Sequence, residues 1–157
     1  MSVTRRGTRI PRDYETLAVK AGILENATYP AQTLKNAATG ATMEDPRAGM
    51  HVATIAAALE YGAGQNHPRP FMQNTIARQR KAWADGIVKL VQGGMPVREA
   101  IATIGQVMKE DIQETIRDWP ADNSESWAAF KGFNKGLIQT SHLLNSVESA
   151  IVDKDES

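Results

Sequence analysis

Two long amphipathic segments joined by a short glycine-proline connection constrain the fold of this chain most. Phe71 to about Val91 and Pro96 to about Trp119 carry apolar residues at spacings of three or four, which predicts two helices. Each is about 30 Å long at ~1.5 Å per residue. Because the connection is short, the helices are expected to pack antiparallel. The apolar positions are Met72, Ile76, Trp83, Ile87 and Leu90 in the first helix and Val97, Ile101, Ile104, Met108, Ile112, Thr115 and Trp119 in the second.

Strand patterns lie near both ends of the chain. Leu17 to Glu25 alternates imperfectly, which predicts a strand in which Gly22 indicates a bulge or a close approach of another element. Residues 147–152 also alternate, and this final strand is expected to pair with the first. Thr140 is expected to cap a short helix through Leu143 and Leu144, just before this final strand.

A shorter helix comes before the long pair. Val52, Ile55, Ala56 and Leu59 lie on one helical face, and Gly62 supplies a C-terminal stop. The whole pattern predicts an α+β fold in which two long antiparallel helices pack on a small antiparallel sheet, with a shorter helix before them.

The length of 157 residues favours a single domain with three peripheral segments. Residues 1–16 form a basic arm, 31–49 a loop expected to be mobile because residues 36–42 have nothing to bury, and 153–157 an acidic tail. The arm and the tail are either solvated ends or arms that dock on neighbouring subunits or on nucleic acid. If they dock, we expect them to place opposite charge on opposite faces of a subunit. The candidate interface residues are Arg5, Arg6, Arg9, Arg12, Asp153, Asp155 and Glu156.

Composition and motifs argue against several classes of function. The 18 basic and 18 acidic residues balance, so the chain lacks the basic excess that is typical of nucleic-acid-binding proteins. There is no cysteine, no apolar run of membrane-spanning length and no secretory signal pattern, so a cytoplasmic product is the default expectation. No catalytic, cofactor or metal site is predicted, since His51, His67 and His142 lack partners at ligand spacing. The Glu110 and Glu114 pair is expected to be solvated, and Trp83, Trp119 and Trp127 are expected to be core or interface anchors.

The connection between the shorter helix and the long pair is the most distinctive local pattern. Glu60, Tyr61 and Gly62 end one helix, and Arg69, Pro70 and Phe71 open the next, with Pro70 expected at the first helical position. Arg69 stands between two prolines, so a fixed ion pair is plausible, with Glu60 as the candidate partner. Phe71 is expected to be buried at the base of the helix pair. These six residues are predicted to form a rigid structural corner.

The same corner carries a resemblance to a known family. Glu60-Tyr61-Gly62 with Arg69-Pro70-Phe71 resembles the "EFG … PARPF" signature of tailed-phage tail-completion, or head–tail neck, proteins. Residues 131–147 resemble the later "KG … PLIDTG.L..SI" segment of that family, with Gly136, Gln139 and Ser141 where the pattern has Pro, Asp and Gly. The similarity spans roughly residues 50–152.

The resemblance implies a structural virion protein without a cofactor and without enzymatic activity. Such a protein is made in the host cytoplasm and acts in tail completion and head–tail joining, beside tail-tube, terminator or neck proteins. It implies a homo-oligomeric ring, with a hexamer favoured, and no membrane association. Whether the arms touch DNA is left open.

Two alternatives remain from the sequence. One is another phage morphogenesis factor, such as a tail terminator or an assembly protein. The other is a small nucleic-acid-binding regulator that uses the arginine arm, which predicts a steep salt dependence of DNA binding.

Overall fold

The computed structural model describes residues 16–23, 26–132, 134, 136–137 and 141–154. They form an α+β fold with two long helices on a small antiparallel sheet and a shorter helix before them, as the sequence predicts. The elements are β1 (Leu17–Ile23), β2 (Thr33–Lys35), β3 (Thr42–Glu44), α1 (Val52–Tyr61), α2 (Phe71–Gln92), α3 (Val97–Arg117), α4 (Glu125–Lys131), α5 (His142–Asn145) and β4 (Val147–Asp153).

The two long helices, α2 and α3, run antiparallel in close contact. Near one end of the pair, Oγ1 of Thr75 lies 2.7 Å from Oγ1 of Thr115 and 2.8 Å from the carbonyl oxygen of Phe71. These hydrogen bonds allow Thr75 to be fully buried. The predicted apolar stripe of α2 is therefore wrong at Ile76, which is 44% exposed, because the buried face is rotated towards Phe71 and Thr75. In α3 the buried face includes Ile101, Ile104, Ile112 and Thr115 as predicted.

The sheet that packs on α3 consists of β1 and β4. They pair antiparallel from Leu17 opposite Asp153 to Ile23 opposite Val147, which confirms the predicted pairing of the terminal strands. The ladder continues through Gly22, so this glycine does not mark a bulge. It has a φ of 149°, and a Cβ there would lie 3.4 Å from Cε of Met72. Gly22 thus marks a close approach, the other of the two expectations.

A small hairpin occupies part of the segment that was expected to be an irregular loop. β2 and β3 pair antiparallel, and Leu34 between them is buried. The turn forms because Oδ1 of Asn36 accepts hydrogen bonds from the backbone N–H groups of Ala38 and Thr39, and Gly40 adopts a φ of 72°. Leu34 and Asp45 are buried, so part of 31–49 packs against the rest of the fold, whereas no residue of 36–42 is buried, as expected, and the mobility of the segment stays a prediction.

The two ends of the described chain meet at one end of the sheet. The backbone N–H of Lys154 donates a hydrogen bond to the carbonyl oxygen of Thr16 at 2.6 Å. Thr16, the last residue of the basic arm, and Lys154 in the acidic tail are therefore neighbours, while the faces on which the arm and the tail dock stay a prediction. Asp153 is exposed at the end of β4. The other candidate interface residues, Arg5, Arg6, Arg9, Arg12, Asp155 and Glu156, lie outside the described residues, as does Thr140.

Candidate functional site at the corner between α1 and α2

The corner begins where α1 ends. Gly62 adopts a φ of 80°, and a Cβ at this position would lie 2.9 Å from the carbonyl oxygen of Asn66, so the turn favours glycine. The chain then folds back, and the backbone N–H of Arg69 donates to the carbonyl oxygen of Leu59 at 2.7 Å. Pro70 is the N-cap of α2 and not its first helical residue. Phe71 is 1% exposed within the main apolar core, which confirms its predicted burial.

Glu60 is a helix cap for α2. Its Oε2 and Oε1 atoms accept hydrogen bonds from the backbone N–H groups of Met72 and Gln73, each at 2.9 Å. Pro70 offers no side-chain cap to those first-turn groups, so a carboxylate from the preceding helix satisfies them. Its negative charge also suits the positive end of the helix dipole. The predicted ion pair between Glu60 and Arg69 is therefore wrong.

Arg69 pairs instead with Asp122, which follows α3. Nε of the buried Arg69 donates to Oδ2 of Asp122 at 2.9 Å. The same oxygen accepts from Nε1 of Trp119 at 3.0 Å and lies 3.1 Å from Nε2 of His67. Burial raises the pKa of Asp122, but the hydrogen bonds from Trp119, His67 and Arg69 outweigh it and hold that pKa below its usual range. Asp122 therefore contacts Arg69, His67 and Trp119 as a carboxylate anion.

The second motif of the sequence packs directly against this pair. A Cβ on Gly136 would overlap Oδ1 of Asp122 and would lie 3.2 Å from Nε of Arg69. A larger residue does not fit there without movement of Asp122, which gives a local reason for glycine at a position where the phage-family pattern has proline. Oδ1 of Asp122 is buried without a hydrogen-bond partner in the described part of the chain.

The corner forms one wall of a cleft of about 680 Å³. His67 and Arg69 line it at the start of α2, together with residues of the second motif. The second-motif residues are Lys131, Gly136, Leu137, Ser141, His142 and Leu143. The two segments that carry the family resemblance thus meet at one place.

The cleft combines apolar surface with cationic side chains. Three of its lining residues, Arg47, Arg69 and Lys131, are basic, whereas Asp122 is the one carboxylate among the described lining residues. Burial lowers the pKa of the Lys131 ammonium, and the positive charges of Arg69 and Arg47 lower it further. The apolar lining includes Tyr29, Leu34, Ile55, Leu59, Leu137 and Leu143.

Arg47 is held in place by its neighbours. Its Nε and Nη2 atoms donate to the two carboxylate oxygens of the buried Asp45 at 2.8 and 2.7 Å. Its guanidinium carbon lies 4.6 Å from the centre of the Tyr29 ring, a cation–π contact. The hydrogen bond from Arg47, partly opposed by burial, lowers the pKa of Asp45 to about 2.

The remaining candidate residues occupy separate positions. Tyr61 is 69% exposed and does not pack into the corner. Nε1 of Trp83 donates to Oδ2 of Asp111, whereas the ring of Trp127 stacks on that of Phe130 with 37% of the residue exposed. Glu110 and Glu114 are both exposed.

The other two histidines, His142 and His51, make separate local contacts. Nε2 of His142 donates to the carbonyl oxygen of Thr28 at 2.8 Å, and His51 lies at an isolated β-bridge. Within the described ranges, no group of three or more His, Asp or Glu residues could hold a metal ion. The helices described are each too short or too polar to cross a membrane.

Sequence reasoning missed Asp122 as the partner of Arg69. The two residues are 53 positions apart, and no local pattern indicates such a contact. Arg47 was missed because it lies in 31–49, the predicted loop, and Tyr29 because it lies just before that loop and in no predicted element.

Comparisons with known proteins add no relative. No family model, curated protein or solved structure matches this chain. The resemblance to the phage family therefore depends on the two motifs alone.

Proposed function

We propose that this chain is a structural protein of a tailed-phage virion that completes the tail and helps join it to the head, as the subunit of a ring. It is made in the host cytoplasm, incorporated into the particle and has no enzymatic role. The single observation that supports this proposal is the meeting of the two motif segments around Arg69 and Asp122. Segments that match one family pattern in order are expected to touch if they belong to one structural unit.

The contacts at the corner suit a structural role. Glu60 caps the start of α2, Arg69 ties it to the chain after α3, and Phe71 is buried below it. These contacts fix the relation of α1 to the helix pair. A ring subunit needs such rigidity, because a small change in its shape alters the rotation between neighbours and prevents closure.

Electron microscopy of the purified protein with isolated tail tubes tests the proposal. We expect ring-shaped density at the head-proximal end of each tube and none at the other end. Tubes without the protein are the control. Unchanged tubes at saturating protein would contradict the proposal.

A DNA-binding measurement distinguishes the ring subunit from the alternative of a nucleic-acid-binding regulator. A regulator that uses the arginine arm would bind duplex DNA with an affinity that falls steeply as salt rises. The ring subunit proposed here requires no such binding.

A further inference from the structure

The cleft at the corner has the chemistry of a site for an acidic peptide segment. Arg47 and Arg69 each have more N–H donors than their partner carboxylates occupy in the described contacts. Lys131 adds a third cation at the rim, and Leu34, Leu59 and Leu137 contribute apolar surface. Carboxylates recognised by arginine form strong, directional hydrogen bonds.

This chain itself contains a segment of matching chemistry. Asp153, exposed at the end of β4, is followed in the sequence by Asp155 and Glu156, whereas Ile151 and Val152 before it are paired with β1 in the sheet. The charge of this segment is opposite to that of the cleft lining.

Asp153, where the acidic segment begins, lies at the end of its own subunit that is away from the cleft. Nζ of Lys109 contacts Glu148 at 2.9 Å, and Gln106 contacts Ser149 at 3.0 Å, so β4 proceeds towards the N-terminal end of α3. Asp122 in the cleft instead follows the C-terminal end of α3. The strand covers about 20 Å from Val147 to Asp153, and residues 154–156 span only about 10 Å more. The distance back along β4 exceeds the reach of residues 154–156, so we assign this segment to a neighbour's cleft and not to its own.

We propose that the cleft between the corner and α4 binds the acidic segment of residues 153–156 of a second copy of this chain. The contact joins one end of a subunit to the opposite end of the next, a heterologous interface that forms a ring when its rotation closes. This inference rests on the proposed function and gives its ring a specific contact.

Fluorescence anisotropy with a labelled peptide of residues 148–157 tests the contact. The partner is the full chain carrying Asp153→Asn, Asp155→Asn and Glu156→Gln, so that its own tail does not compete. We expect saturable binding at one peptide per chain. A peptide with the same three acid-to-amide changes is expected to bind about tenfold more weakly, because charge-assisted hydrogen bonds are lost.

Changes in the host chain locate the site. Lys131→Gln is expected to weaken binding severalfold and Lys131→Arg to preserve it, whereas Lys89→Gln on the exposed last turn of α2 is the matched control with no effect. Circular dichroism confirms that each variant is folded. Absence of saturable binding, equal binding of a scrambled peptide, or equal affinity of the Lys131→Gln and Lys89→Gln variants would each overturn the inference.

The two proposals fail in different ways. If the peptide does not bind but the protein forms rings on tail tubes, the cleft contact is wrong and the proposed function stands. If the peptide binds but tubes acquire no ring, the contact stands and the proposed function is wrong.

Discussion

At the scale of single residues, the corner depends on three side chains that act differently. Phe71 contributes apolar burial, Glu60 satisfies backbone donors, and Arg69 forms an ion pair with Asp122. The sequence alone predicts the burial of Phe71, because an aromatic residue after a proline-rich turn opens a helix with an apolar face. It cannot identify the acid that pairs with Arg69, because Asp122 lies 53 positions away in the sequence and only folding brings it near.

Phe71→Ala is expected to lower the free energy of unfolding by about 3–5 kcal/mol, because it leaves a cavity in the core. Urea denaturation measures the change. Ile76→Ala on the same helix is the control, and its cost is expected to be much smaller because Ile76 is 44% exposed. A loss below about 1 kcal/mol for Phe71→Ala would show that the corner is not packed as described.

Glu60→Ala is expected to cost about 1–3 kcal/mol, since it removes the acceptors of the Met72 and Gln73 N–H groups. The matched control is Glu110→Ala, an exposed acid on α3. Thermal and urea unfolding of both variants give the comparison. Equal stability of the two variants would contradict the capping role.

The ion pair of Asp45 and Arg47 predicts a pH dependence of stability. The pKa of Asp45 is lowered from 3.8 to about 2, so its contribution is complete above pH 3.8 and is lost as the pH falls through about 2. Asp45→Asn is therefore expected to be less stable than the natural chain at neutral pH and to lose less stability between pH 4 and pH 2. Parallel pH profiles for the two proteins would contradict this assignment.

At the scale of elements, the periodicity of apolar residues predicts the longer helices and strands and misses the strands of three residues. α1, α2, α3 and the pairing of β1 with β4 follow from spacings repeated over many residues. β2 and β3 have three residues each, too few for a pattern, although Asn36 and Gly40 are turn residues that could have indicated the hairpin. The exact face of α2 was also missed, because Thr75 is buried through hydrogen bonds that hydrophobicity does not reveal.

Two helical glycines test how closely the elements pack. A Cβ on Gly105 would lie 2.8 Å from Cγ2 of Val19, a stiff β-branched side chain on β1, whereas a Cβ on Gly86 would meet the mobile Cδ1 end of Ile104. Gly105→Ala is expected to cost about 1–3 kcal/mol from overpacking. Both changes gain up to ~1 kcal/mol of helix propensity. Gly86→Ala is expected to cost less, because only the end of the Ile104 side chain has to move.

Urea unfolding of the two alanine variants provides the measurement. The account predicts that the Gly105→Ala variant is the less stable of the two. A more stable Gly105→Ala variant would mean that the sheet and α3 are farther apart than described.

At the scale of the whole molecule, the cationic cleft and the paired ends of β1 and β4 lie at opposite ends of α3. The equal numbers of acidic and basic residues conceal this arrangement. The sequence does indicate charged ends, but their common origin beside Thr16 and Lys154 depends on the sheet register. Such polarity suits a subunit that joins head to tail with its neighbours.

The most direct test of the central claim is to produce phage particles without this protein and image them. The account predicts filled heads and tails that are not joined, with infectivity restored when the protein is supplied. Correctly joined, infectious particles in its absence would contradict a role in head–tail joining.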